Sequence, residues 1–235
     1  MQNAIYMSDS YVKEFEAVVE SVKDDKYIIL DKTAFYPQGG GQPADFGVMT
    51  HNGEEYTIVH VAKFEGKISH EVSKSGLNAG DNVHCRIDWE RRYRLMRMHT
   101  AAHIIDAVLY KEAGALCTGN QLNVDKSRID FALETLDKDK IQQYIDMANE
   151  CVQKGVDVKV YTMKREEALK IPGIVKLASV MPPEVEELRI VEIPDVDMQA
   201  DGGTQVKNTS EIGKISLISV ENKGKSNRRM YYTLD

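Results

Sequence analysis

The chain has 235 residues, 42% hydrophobic and 29% charged, with a formal charge of −7 at neutral pH. That length gives one large domain or two small ones ample core, and the acid excess argues against a protein that coats nucleic acid indiscriminately while allowing local basic patches. No apolar run approaches the roughly 20 residues of a membrane span. The start, MQNAIYMSDSYVKEFEA, lacks the basic-then-apolar order of a secretory leader, and Cys85, Cys117 and Cys151 form no CxxC pair, as expected of thiols in a reducing cytosol.

In chain order, VKEFEAVVESVKDDKYIILDKT alternates and breaks at Asp24-Asp25, which predicts a hairpin. A glycine-rich turn follows at 39–41, then EEYTIVHVAKFEGKISHEV with a turn near Glu65-Gly66, then DNVHCRIDWE. Short strands at regular spacing predict a small antiparallel barrel. Character changes at Trp89, and Glu90 to Glu112 reads as a helix stopped before Gly114. Beyond it, SRIDFAL reads as a strand, DKDKIQQYIDMANECVQKG as a helix closed by Gly155, VDVKVYTM as a strand and KREEALKI as a short helix ended by Pro172. LRIVEI, KISLISVENK and RRMYYTL are expected to complete a sheet. Interleaved strands and helices without regular βαβ repeats predict an α+β domain. The expected division is a barrel over residues 1–89 packed on an α+β domain over 90–235.

The most informative stretch is RRYRLMRMHTAAHIIDAVLYKE. His99 and His103 stand four apart on the predicted helix, so both project from one face a turn apart, at a separation that one tetrahedral Zn²⁺ can bridge. Arg91, Arg92, Arg94 and Arg97 lie just upstream, and Leu95, Met98, Ala102 and Ile105 form a mainly apolar face. Basic residues beside a two-histidine pair suggest a metal site next to a polyanion. Two unrelated histidines, one in the core and one at its edge, explain the pair equally well, because it supplies only half a coordination shell. Lys223, Lys225, Arg228 and Arg229 form a second basic cluster, which by itself reads as a solvated face. A metallopeptidase is a poor fit, since Thr100 and Ala101 stand where HExxH would place its general base.

The partners for the histidines are sought in the run from Asp197 to Gly213, DMQADGGTQVKNTSEIG. A helix bearing HxxxH, followed about a hundred residues later by this run, resembles the CGGTHVxxTxEIG pattern of the second additive domain of alanyl-tRNA synthetases and of their freestanding relatives, the AlaX trans-editing proteins. The run TAFYPQGGGQP from Thr33 to Pro43, TGNQ at 118–121, RIDF at 128–131 and NKGKSNRR at 222–229 are similar to the same family. The likeness covers essentially the whole chain. Length and barrel resemble the medium-sized AlaX group. The implied fold is a small antiparallel β-barrel packed on an α+β editing domain.

The resemblance implies a cytoplasmic hydrolase, a zinc-dependent deacylase of mischarged tRNA(Ala). Its chief substrate would be Ser-tRNA(Ala), with Gly-tRNA(Ala) a further candidate and neither DNA nor membrane a partner. Where the family pattern has Cys this chain has Asp201, itself a zinc ligand type; where it has the last His, this chain has Gln205, a poor one. Two arrangements stay open: His99, His103 and Asp201 hold one Zn²⁺ while Gln205, at the fourth ligand position, places a water or substrate carbonyl; or the metal is weak or absent and a protein-bound water performs the hydrolysis. A separate reading takes Gln205 as loss of the metal and makes the protein a weakened or inactive tRNA-binding module. Gly202 and Gly203 are candidate oxyanion donors through their N–H groups, or simply a tight turn behind Asp201. The family places a hydroxyl before the glycine-rich run, so Thr33 is the implied serine sensor: a pocket that hydrogen-bonds a serine hydroxyl rejects alanine. Gly39, Gly40, Gly41 and Gln42 are expected against the acceptor end, and the two basic clusters against phosphates.

Overall fold

A computed structural model describes residues 3–135, 137–174 and 184–235. The chain divides into two compact units, Met1–Arg94 and Leu95–Asp235. In the first, a short strand β1 (Asn3–Ala4) precedes β2 (Glu14–Lys23), β3 (Tyr27–Leu30), β4 (Lys32–Thr33), β5 (Gly47–His51), β6 (Glu54–Phe64), β7 (Lys67–Val72) and β8 (Asn82–Ile87). Six of them close a barrel in the order β2-β3-β7-β6-β5-β8, every pair antiparallel, as the strand spacing predicts. Two hairpins use two-residue turns with both residues at positive φ, Asn52-Gly53 and Glu65-Gly66, and the three-residue connection between β2 and β3 likewise has Asp24 and Asp25 at positive φ. This backbone matches the right-handed strand twist. Alternate residues point inward, Phe15, Ala17 and Val19 from β2 and Val83, Cys85 and Ile87 from β8, into a continuous apolar core. Gly47 is required there, because a Cβ would lie 2.2 Å from the Arg86 carbonyl oxygen.

The second unit holds most of helix α1 (Trp89–Ala113), then β9 (Cys117–Gln121), β10 (Ser127–Ala132), α2 (Lys138–Gln153), β11 (Lys159–Lys164), α3 (Arg165–Ala168), β12 (Glu187–Ile193), β13 (Asp197–Ala200), β14 (Ile215–Asn222) and β15 (Asn227–Leu234). From Met98 to Leu109, α1 is buried on every side, beyond the single apolar face expected of it. α2 buries only Ile141, Ile145, Ala148 and Val152, starts on an Asp137 cap to the Asp139 and Lys140 N–H groups, and stops before Gly155 at φ 62°. Asn149 of α2 pins β14 with a pair of bonds to the Ile215 backbone.

Two expectations are corrected. LRIVEI does not join the last two strands in one sheet. β12 pairs with β11 and β13, while β14 and β15 pair with β10 and β9 in a separate four-stranded sheet. The reason is local: β12 turns back through Asp195, at φ 62°, so its neighbour is the next segment of chain, β13. The helix in KREEALKI is only four residues and closes at Ala168, well before Pro172; a tight turn from Ile171 N–H to the Ala168 carbonyl follows it. The three cysteines are free thiols, and no helix among the described residues is long and apolar enough to cross a membrane.

Candidate metal centre

Four pieces of the second unit meet around His99 and His103. One turn apart on α1, the two rings are tilted by 38° with centroids 5.2 Å apart. The loop leaving β13 brings in Asp201, whose Oδ1 lies 3.6 Å from His99 Nε2 and whose Oδ2 lies 3.9 Å from His103 Nε2. One ligand atom from each residue falls within 4.8 Å of the other two, so a single cation can touch all three. Two imidazole nitrogens and a carboxylate oxygen fit zinc chemistry, and among the described residues no other such group occurs.

The surroundings prepare each ligand. Asp197, on β13, accepts from His103 Nδ1 at 2.8 Å, which holds the proton on that nitrogen and turns the Nε2 lone pair toward the site. Gln199 Nε2 links this carboxylate, at 3.0 Å, to Asp106 at 3.3 Å. Arg189 of β12 donates to the Asp201 carbonyl at 2.8 Å, and Gly203 N–H donates to Asp201 Oδ2 at 2.9 Å. Farther along the loop, Asn208 and Glu211 form a capping box that anchors it.

Charge follows from these contacts. Burial lowers His99 to about 4, against the opposing pull of Asp201, so it stays a neutral ligand. Burial also pushes Asp201 upward, but His99, His103 and Arg189 outweigh it and hold the carboxyl near 2. At His103 the burial effect is overcome by the hydrogen bond to Asp197 and the nearby carboxylates, and its pKa lies above the usual imidazole value.

Gln205 belongs to the same cluster. Its Oε1 accepts from Thr100 Oγ1 at 2.8 Å, and its Nε2 donates to Asp201 Oδ2 at 2.9 Å and lies 3.3 Å from His103 Nε2. The oxyanion expectation is corrected at Gly203, whose N–H is committed to Asp201. Gly202 is exposed, and a Cβ there would meet nothing within 4 Å.

The remaining candidates have these settings. Thr33, in the first unit, is fully buried. A carbonyl can only accept, so His70 Nδ1 donates to Ile28 O at 2.9 Å. His70 Nε2 therefore accepts the Thr33 hydroxyl proton at 2.8 Å, while Thr33 Oγ1 accepts from Phe35 N–H at 3.1 Å. Gly39 to Gln42 is a tight turn closed by reciprocal backbone bonds, with Gly40 and Gly41 at φ 58° and 84°, and Gln42 is buried. Phosphate contact is ruled out for Arg92, which is fully buried on Asp45, Ser10 O and Ala34 O. It is ruled out likewise for Arg228, buried on carbonyls that include Gly224 and Glu134. Arg97 holds Ile212 O and Asp235 O, and Arg91 lies over the Phe46 ring. Arg94 is half-buried, Lys225 is exposed, Lys223 pairs with Glu221 and Arg229 with Asp130.

Asp197, Arg189 and Thr100 were not assigned by sequence reasoning. The one signal for Asp197 was its place at the head of the motif run; nothing in spacing marked the other two.

Comparison with known proteins agrees with this architecture. Residues 3–91 match the family model of class II (A) tRNA synthetases, and residues 188–231 that of the threonyl and alanyl tRNA synthetase second additional domain. The chain is 51% identical, over its whole length and 99% of the relative, to the alanyl-tRNA editing protein AlaX-M of Methanosarcina barkeri. It is 48% identical, with the same coverage, to AlaX-M of Saccharolobus solfataricus. Against an alanine–tRNA ligase of Pyrobaculum aerophilum the identity is 39%, covering 92% of this chain and 25% of the ligase.

Proposed function

The chain belongs to the AlaX-M family of alanyl-tRNA editing proteins, and from that membership we propose that it hydrolyses the ester linking a wrong amino acid to tRNA(Ala), serine first and glycine as a further candidate. The observation that carries this reading is the convergence of His99, His103 and Asp201 on one point, with Asp197 fixing the tautomer of His103. Zn²⁺ held by these three residues would supply a Lewis acid that binds the substrate amino group or acidifies a water. The chain's own part is to keep His99 neutral, Asp201 ionised and the His103 Nε2 lone pair aimed inward. The proposed place of action is the cytoplasm, where aminoacyl-tRNA is used.

Thr33 is the proposed serine sensor. With its proton committed to His70 and one lone pair to Phe35 N–H, it has a second lone pair to offer a serine hydroxyl; alanine offers no proton to meet it. For tRNA phosphates the proposed contacts are Lys223, Lys225 and Arg229, joined by Arg94.

Steady-state deacylation of Ser-tRNA(Ala) and Ala-tRNA(Ala), with and without chelator, tests this. Turnover of the serine ester is expected to fall about a hundredfold or more with chelator, and equally in the His99→Ala, His103→Ala double variant. Thr33→Val is expected to shrink the serine-over-alanine preference with the metal retained. Full turnover in chelator would remove the metal from the reaction. Tight binding of tRNA without turnover would favour the second reading, a binding module, which the inward-facing amide nitrogen of Gln205 supports.

A further inference from the structure

Thr100 follows His99 on α1, is fully buried, and its hydroxyl meets three partners. Val206 N–H donates to it at 3.2 Å. Two acceptors compete for its proton: Met96 O at 3.1 Å and Gln205 Oε1 at 2.8 Å. A hydroxyl has one proton, so it serves one of them at a time.

When the proton goes to Gln205 Oε1, the amide NH₂ faces Asp201 Oδ2 and the His103 Nε2 lone pair, at 2.9 and 3.3 Å. That orientation suits a site without a cation. Beside a cation it is unfavourable, because an amide NH₂ carries partial positive charge and has no lone pair to give. Yet the terminal amide atom already stands at a ligand corner. Its distances from Asp201 Oδ2 and His103 Nε2 are close to the edge, about 3.3 Å, of a tetrahedron whose metal–ligand bonds are about 2.0 Å.

We propose that Thr100 is a positioning residue that lets the Gln205 amide present either edge to the metal. A half-turn of the amide puts Oε1 at the fourth corner and Nε2 on Thr100 Oγ1. The Thr100 proton passes to Met96 O, and Val206 N–H keeps its acceptor. No bond at Thr100 is lost, and the two N–H contacts to Asp201 and His103 give way to an oxygen facing the cation. This inference rests on the zinc reading above and extends it, explaining how a neutral amide takes a corner where the family pattern places imidazole.

The test compares the full-length parent with Gln205→Leu, Thr100→Val and Thr100→Ser. The readouts are zinc affinity by competition with a chromophoric chelator, visible absorption of the Co²⁺-loaded proteins, and far-UV circular dichroism for folding. Both Gln205→Leu and Thr100→Val are expected to bind zinc about tenfold more weakly and to shift the Co²⁺ bands, with Thr100→Ser restoring the parent values. Equal affinity and identical bands in Gln205→Leu overturn the inference. A changed Gln205→Leu beside an unchanged Thr100→Val overturns the role of Thr100. The ¹⁵N side-chain amide resonance of Gln205 in the parent needs no variant to fold: it should move on zinc addition, and a fixed resonance overturns the amide turn. A parent that holds no zinc overturns the metal reading itself, and this inference with it; zinc held equally by parent and Gln205→Leu leaves that reading standing.

Discussion

His70 shows what a single buried imidazole imposes on its surroundings. Both ring nitrogens are used, one on Ile28 O and one on the Thr33 hydroxyl, and burial lowers its pKa from 6.5 to about 4. The folded value lies below the unfolded one, so as pH falls the unfolded chain takes up the proton first. Stability from this group is complete above about pH 6.5 and is lost between there and about 4, a total of about 3 kcal/mol. Trp89, the single tryptophan, lies in the same unit and reports its unfolding. Urea titrations followed by Trp89 fluorescence from pH 7.5 to 4.5 should show the parent losing stability faster than His70→Gln. Parallel curves would mean that His70 does not titrate in this range.

At the scale of elements, the first turn of α1 is held by one ion pair. Arg92 reaches Asp45 through Nε and Nη2, while Asp45 Oδ2 also accepts from Tyr36 N–H at 2.6 Å. Asp45→Ala strands a fully buried guanidinium and an amide, and should cost about 3–5 kcal/mol. Adding Arg92→Met to it should return a good part of that loss, since the buried charge is then gone. Thermal unfolding of the three proteins checks both statements, and a double variant no more stable than the single one would reject the pairing argument. Arg92 also shows where sequence stops being informative: beside Arg91 and Arg94 it reads as one of a surface cluster, and only the distant Asp45 makes it internal. By contrast Asp24-Asp25 and Glu65-Gly66 are legible because hairpin turns are decided by their own backbone preferences. The same division runs through the candidate metal centre. His99 and His103 are legible because helical spacing alone aligns them, and Asp201 and Gln205 because a motif carries them. Asp197 and Arg189 are brought to the site by the pairing of β12 with β13, which no local pattern announces, and β13 itself lies hidden inside the motif run.

For the whole molecule, the question is how a chain of net charge −7 would hold the polyanion proposed as its substrate. Burial withdraws Arg92 and Arg228 from the candidates, and Arg97 is occupied by backbone carbonyls. Lys223 and Lys225 remain exposed in the turn between β14 and β15, and the Lys223 ammonium pairs with its surface neighbour Glu221, at 2.7 Å, a pairing worth little in water. Few contacts imply a shallow dependence of tRNA affinity on salt, because each neutralised phosphate adds about one unit to the slope of log K against log salt. Replacing Lys223 and Lys225 together by Ala should reduce that slope by about 2 and weaken binding of Ser-tRNA(Ala) and Ala-tRNA(Ala) by the same factor. Phosphate contacts carry no information about the amino acid, so the serine-over-alanine ratio should stay that of the parent. Fluorescence anisotropy between about 50 and 200 mM salt measures the slope. An unchanged slope would take the backbone contact away from this turn and leave Arg94 and Arg229 as the cations to test.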